Sequence, residues 1–145
     1  MGLFYHGTNL EFHNQQVRKY GKYSQKISLF KRIFASDKYF GVSNDDLFVS
    51  DDCSFALSFA LMRSKRFNLT PIILIIDPFM LASHGFKAYR NPKSEHEFII
   101  KRGALDTELY KVVVFTNDEA EKLLYNTSGL EKFLKINSID HKKIL

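Results

Sequence analysis

Cysteine, tryptophan and proline are scarce in this chain, and their scarcity limits what the protein can be. Its 145 residues include one cysteine, no tryptophan, three prolines and seven glycines. The single thiol, Cys53, cannot form a disulfide or a thiolate zinc site within the chain, so we expect a reducing compartment, the cytoplasm. We also expect Cys53 to be a poor nucleophile, because the neighbouring Asp51 and Asp52 would raise its pKa.

Long apolar runs are also lacking. The longest, residues 71–76, is far too short to span a membrane, and residues 1–6 lack the basic stretch and apolar core of a signal peptide, so we predict no membrane partner. The 45% hydrophobic content, with 14 phenylalanines and 7 tyrosines, supplies a core and excludes wholesale disorder. At this length we predict a single domain over residues 1–145.

The net charge of +5 is unevenly distributed along the chain. Residues 17–38 contain one acid, Asp37, and the basic residues Arg18, Lys19, Lys22, Lys26, Lys31, Arg32 and Lys38. Such a segment can meet a phosphate-bearing ligand, nucleic acid or an acidic partner surface, and its interleaved aromatic residues can stack on bases. A solvated loop and helix surface explains the same pattern equally well.

Hydrophobic periodicity predicts small strands on both sides of one clear helix. The predicted strands are residues 3–6, ended by Gly7-Thr8-Asn9, and residues 47–50, 71–76, 98–100 and 109–115. The helix runs to about Ser64 behind cap-forming Ser50-Asp51-Asp52, with Phe55 and Phe59 assigned to the core. Other assignments are short helices near 14–19, 118–125 (capped by Asn117 or Asp118) and 130–136, a loop at 85–94, and an ambiguous segment at 27–34. This order favours an α+β fold with a largely antiparallel sheet.

Two glutamates at the start of a predicted strand are the most informative feature. Glu95 and Glu97 stand two positions apart before the apolar run Phe98-Ile99-Ile100, so strand alternation would send both side chains to one face. Adjacent like charges repel, and folding alone gives no reason to place them there. A carboxylate pair in a cleft can divide labour between stabilising a cation and orienting a nucleophile. An exposed strand edge would carry the same residues with no function.

Three segments taken together resemble the mono-ADP-ribosyltransferase superfamily, which includes bacterial and phage transferases, ADP-ribosylating toxins and the poly-ADP-ribose polymerases. They are Leu3-Phe4-Tyr5-His6-Gly7-Thr8, then Leu47 to Asp52 with the following Phe55-Ala56-Leu57-Ser58-Phe59-Ala60, and then Glu95 to Ile100. They resemble the first-strand histidine-glycine-threonine signature, the serine-bearing turn that braces the nicotinamide pocket, and the E-x-E motif of the arginine-directed branch. The resemblance spans residues 3 to about 115.

The resemblance implies split, mostly antiparallel sheets with flanking helices around an NAD cleft, and it implies transfer of ADP-ribose from NAD to a protein side chain such as arginine. Cleavage of the nicotinamide–ribose bond passes through an oxocarbenium-like cation. The implied roles are cation stabilisation for Glu97, nucleophile activation for Glu95, NAD contacts for His6, Gly7, Thr8 and Ser50, diphosphate binding for Arg18, and contact with the target for Tyr89. NAD would bind without metal, because the histidines show no metal-ligand spacing. An effector or toxin would act in its own cell or, if delivered, in the host cytosol.

The chain combines motif residues from different branches of the superfamily, and two alternative functions therefore stay open. Arginine-directed enzymes usually begin with arginine where this chain has His6, and the usual serine-threonine-serine is Ser50-Asp51-Asp52 here. One alternative retains the fold but transfers ADP-ribose to nucleic acid, as the basic aromatic segment suggests. The other is a catalytically degenerate relative that acts as a binding module. Retention of both Glu95 and Glu97 argues against the second.

Overall fold

In the computed structural model of the protein, the described residues are 2–25, 46–92 and 94–140. The ambiguous segment 27–34 and most of the basic segment 17–38 lie outside them. The strands are β1 (Phe4–Asn9), β2 (Lys22–Tyr23), β3 (Leu47–Ser50), β4 (Pro71–Ile76), β5 (Ala88–Arg90), β6 (Glu97–Ile100), β7 (Leu105–Asp106) and β8 (Tyr110–Val114). The α-helices are α1 (Leu10–Tyr20), α2 (Cys53–Lys65), α3 (Pro78–Ser83), α4 (Asn117–Leu123) and α5 (Thr127–Asn137), with a 3₁₀ turn at Thr107–Leu109.

Six strands form one sheet in the order β5-β6-β3-β1-β4-β8, and β2 pairs with β7 separately. Every pairing is antiparallel. One face of the large sheet packs against α2, α4 and α5, and the other packs against α1, α3 and the β2–β7 pair. The predicted α+β class with a mostly antiparallel sheet and flanking helices is therefore confirmed. Among the described residues, no helix is long and apolar enough to cross a membrane.

The large sheet is weakly joined at its centre, between β1 and β3. β1 pairs with β4 over six residues and β3 pairs with β6 over four, but β1 and β3 are in register only at Tyr5 opposite Ser50. Next along β3, the Phe48 carbonyl accepts from the His6 ring (Nδ1–O 2.6 Å), and the Phe48 amide donates to the Gln25 side chain (N–Oε1 2.9 Å). Side chains thus replace the strand hydrogen bonds there, and two three-stranded halves separate beyond one shared pair.

β1 is longer than its sequence indicated. The predicted stop at Gly7-Thr8-Asn9 is wrong, because β4 pairs with β1 as far as Asn9 opposite Pro71. Gly7 allows β1 to pack closely against α2 at this point. A Cβ at this position would overlap the Ala56 carbonyl oxygen of α2 and lie 2.8 Å from the Ala60 amide nitrogen. The glycine therefore lets the backbones of β1 and α2 come into direct contact.

The helix boundaries show which local sequence signals are sufficient to predict where a helix begins. Asp52 caps α2 as predicted, accepting from the Ser54 amide (Oδ1–N 2.9 Å). The predicted cap of α4 was wrong by one or two residues. Thr116 is the cap, in a reciprocal capping box with Glu119. The loop expected at 85–94 contains the short strand β5.

Candidate active site

A cavity of about 630 Å³ opens where β1 and β3 separate, within the range typical of ligand pockets. Its walls come from β1, β3, the start of β6, α1 and α2. Five residues predicted from the sequence line it together: His6, Gly7, Thr8, Ser50 and Glu97. These residues come from three distant segments of the chain, so the fold assembles the cavity.

Ser50 and Glu97 are opposite each other on the neighbouring strands β3 and β6. Directly opposed antiparallel residues have Cβ atoms about 5 Å apart on one face of the sheet. Both are buried, at 2% and 4% exposure. The Ser50 hydroxyl oxygen accepts from the Asp52 amide (3.0 Å), which leaves its proton free for a further acceptor.

The Glu97 carboxylate is held from the other side by an asparagine. The Asn91 side-chain amide donates to Glu97 Oε1 over 2.7 Å, and Asn91 is itself 1% exposed. A buried carboxylate needs such a donor, because burial without hydrogen bonds is costly. Glu97 is therefore a buried acid with a defined orientation that borders a cavity.

His6 is buried and neutral, and its tautomer is fixed by its neighbours. Because the Phe48 carbonyl can only accept, Nδ1 carries the proton, and Nε2 accepts from the Tyr23 hydroxyl (2.7 Å). Burial, and after it the positive charge of Arg63, lower the pKa of His6 to about 3. Both ring nitrogens are thus engaged within the chain, so a ligand hydroxyl would have to displace Tyr23 to reach Nε2.

The Thr8 hydroxyl, at 0% exposure, is a polar group beside the cavity whose bonding is incomplete. Among the described residues, its oxygen has no hydrogen-bond partner of good geometry. It lies close to the Tyr23 phenol. The pKa of Tyr23 is raised to about 12 because the effect of burial exceeds the opposing effects of the Thr8 hydroxyl and the Arg63 charge. A buried, unsatisfied hydroxyl at a cavity wall is a candidate ligand contact.

Among the described residues that line the cavity, Arg63 is the one cation, and the sequence did not indicate it. It lies half-buried near the end of α2 and lines the cavity. The Asn9 side chain donates to its backbone carbonyl (3.3 Å), which ties this part of α2 to β1. In the parts of the chain that the structure describes, its guanidinium has no ion-pair partner. A cation in this state can bind an anionic ligand.

An aromatic pair forms another wall. Phe55 and Phe59, one helical turn apart on α2, meet edge to face with ring centroids 5.0 Å apart. The sequence placed them in the core, but they are half-buried and line the cavity. Aromatic faces in a cleft suit a planar ring in the ligand.

Three predicted residues do not line the cavity. β6 begins at Glu97, so the alternation that would align the two glutamates does not reach Glu95, which is exposed in the preceding turn. Tyr89 lies on β5 with 49% exposure, and Arg18 is exposed in the last turn of α1. Glu95 remains near the rim, because two residues of chain span at most about 7 Å.

Cys53 is buried, and its thiol has a pKa raised to about 11, chiefly by burial and then by the charges of Asp52 and Glu131. The expectation of a poor nucleophile is confirmed, with burial as the larger cause. A second cavity, of about 710 Å³, lies between α5 and the ends of β4 and β8. None of the predicted site residues lines it.

Within the described ranges, no group of three or more histidine, cysteine, aspartate or glutamate side chains is placed to hold a metal ion. Comparisons of the chain with protein-family models, with curated proteins and with solved structures found no match.

Proposed function

We propose that this protein is an NAD-dependent mono-ADP-ribosyltransferase that moves ADP-ribose to a macromolecular acceptor, a protein side chain such as arginine, and releases nicotinamide. One observation carries the proposal. The residues of three short motifs, separated by more than forty positions each, line one cavity: His6, Gly7 and Thr8, then Ser50, then Glu97.

The carboxylate of Glu97 suits the reaction. Loss of nicotinamide leaves an oxocarbenium-like ribosyl cation, which a fixed negative charge stabilises. Glu97 is buried among fixed hydrogen-bonding groups, so no large reorganisation is needed when the cation forms. Ser50, directly opposite, has a hydroxyl proton to donate to this carboxylate or to the ligand.

The other walls match the remaining parts of NAD. The Phe55 and Phe59 rings offer an apolar surface to a planar ring, and Arg63 offers a charge to the diphosphate. We therefore assign diphosphate binding to Arg63 rather than to Arg18, which is exposed on α1. The Thr8 hydroxyl, which has no hydrogen-bond partner among the described residues, is available to a ligand oxygen or amide.

The exposed residues fit a large acceptor. Glu95 and Tyr89 stand outside the cavity on the β5–β6 hairpin, whose strand β6 begins with Glu97. A macromolecule can approach from this side while NAD occupies the cavity. Glu95 would then orient the incoming nucleophile.

The test is incubation of the purified protein with NAD labelled in its adenylate moiety and a cell lysate, with and without a chelator. We expect nicotinamide release and transfer of label to protease-sensitive material. The matched controls are Glu97→Gln, which should be inactive, and Glu108→Gln, an exposed glutamate outside this cavity, which should be active.

Nuclease-sensitive label would instead identify nucleic acid as the acceptor. Binding of NAD without any nicotinamide release would favour a degenerate binding module, and absence of NAD binding would refute the proposal.

A further inference from the structure

We infer that Asn91 is a positioning residue that fixes the Glu97 carboxylate for the reaction; this inference rests on the proposed function. Its side-chain amide donates to Glu97 Oε1 over 2.7 Å. Both residues are almost fully buried, at 1% and 4% exposure, so water competes little for this hydrogen bond.

The backbone of Asn91 is fixed on the same glutamate. Its amide donates to the Glu97 carbonyl (2.9 Å), while its own carbonyl accepts from Ser94 (3.1 Å). Asn91 and Glu97 thus extend the β5–β6 ladder by one pair beyond Arg90 opposite Phe98. The main chain and the side chain of Asn91 thus both contact Glu97, which holds the Asn91 side chain beside the carboxylate at the end of the hairpin.

Glu97 is flanked on both sides within the sheet. β6 lies between β5 and β3, with Asn91 at the end of β5 and Ser50 on β3. The Asn91 amide donates without bringing a full charge, so it orients the carboxylate without neutralising it. A lysine or arginine in this place would form an ion pair and weaken that field.

Asn91 also determines where the exposed turn begins. The Asn91–Glu97 hydrogen bonds close the turn that carries Glu95, so this second glutamate leaves the sheet at a fixed point. Loss of the Asn91 side chain should therefore affect the shared step, nicotinamide release, as well as transfer to an acceptor.

The experiment compares Asn91→Ala and Asn91→Asp with the same substitutions at Asn137, an exposed asparagine that lines neither cavity. We expect Asn91→Ala to lower kcat for nicotinamide release by about a hundredfold, the cost of a misplaced catalytic group, with little change in KM for NAD. Asn91→Asp places two carboxylates in contact, and repulsion between their charges raises the pKa of the pair. Its activity should therefore rise with pH between 6 and 9 more steeply than that of the wild type or the Asn137 variants.

An unchanged kcat in Asn91→Ala, or a wild-type pH profile in Asn91→Asp, would overturn the positioning role. Thermal unfolding checks that the variants fold. If Asn91→Ala does not fold, it is replaced by Asn91→Ser, which retains a shorter hydrogen-bond donor. Crystal structures of wild type and Asn91→Ala give an answer independent of activity. We expect the Glu97 carboxylate to change its orientation, and an unchanged orientation would overturn the inference. A wild-type protein that releases no nicotinamide would refute the proposed function, and the crystal comparison would still decide the role of Asn91.

Discussion

Ser50 and Glu97 face each other across two neighbouring antiparallel strands, 47 positions apart in the chain, and both are buried where they line one cavity. A hydroxyl with a spare proton thus lies beside a carboxylate that is held by an amide. This pairing defines the chemical centre of the proposed site.

Glu97→Gln should lower both nicotinamide release and acceptor labelling by about a hundredfold to a thousandfold, because both pass through the same cation. Glu95→Gln should retain NAD binding and much of the hydrolysis while labelling is lost, because water can replace the acceptor. The two activities are measured in parallel on each variant. Equal loss of both activities in both variants would refute the division of labour, and full activity in Glu97→Gln would refute the site.

Arg63→Ala should weaken NAD binding by about tenfold to a hundredfold, the loss expected for one charge-assisted contact. Affinity for nicotinamide alone should hardly change, because it lacks the diphosphate. Isothermal titration with both ligands measures this difference. Arg18→Ala is the matched control, since that arginine is exposed outside the cavity. A larger loss of NAD affinity in Arg18→Ala than in Arg63→Ala would reverse the assignment.

Gly7→Ala should destabilise the fold by about 3 kcal/mol, near the upper end for an overpacked core position. The added Cβ meets backbone atoms of Ala56 and Ala60, which cannot move aside as a flexible side chain can. The free energy of unfolding in urea measures the loss. Gly2→Ala should leave stability nearly unchanged, because no atom of the described residues beyond its chain neighbours lies within 4 Å of the new Cβ. Equal stabilities of the two variants would contradict the packing argument.

His6 should make the fold sensitive to acid. Its pKa in the folded protein is about 3, below the ordinary value of 6.5, so the unfolded chain takes up the proton first as the pH falls. The folded state therefore has its full stability with respect to His6 above pH 6.5. It loses this stability progressively as the pH falls from 6.5 towards 3, because protonation of His6 favours the unfolded chain. One proton of difference corresponds to about 1.4 kcal/mol per pH unit.

The measurement is urea unfolding at several values between pH 7 and pH 5, for the wild type and for His6→Gln. Carboxylates contribute to the slope in both proteins, so the difference between the two slopes isolates His6. We expect the variant to be less stable at pH 7 but to lose less stability on acidification. Parallel slopes would show that His6 takes up no proton on unfolding.

Much of the fold followed from local signals. The six apolar residues of β4 and the cap and helical spacing of α2 predicted those elements almost to the residue. The end of β1 is not predictable from local signals. Glycine, threonine and asparagine resemble a turn, whereas their strand conformation depends on pairing with β4, more than sixty residues away. β5 was missed because its three residues are exposed and show no hydrophobic alternation.

The sequence predicted the site residues that belong to recognisable motifs. It did not predict the residues that reach the cavity only through tertiary packing. The sequence indicated Ser50 and Glu97, and the sheet brings them together. It could not distinguish Arg63 from Arg18, because both are basic residues near helix ends and only the packing of α2 on β1 brings one of them to the cavity. Likewise, helical spacing cannot tell a phenylalanine in a core from one that walls a cavity, as Phe55 and Phe59 show.

The central position of β1 has a consequence for the newly made chain. Its two neighbours in the sheet begin at Leu47 and Pro71, so β1 has no strand to pair with until those segments have left the ribosome. Pairings over such separations form slowly, and an unpaired strand is open to association with other chains in the meantime. The cavity itself cannot close before Glu97 has been synthesised. We therefore expect yields of folded protein to respond strongly to temperature during expression and to chaperones that shield unpaired strands.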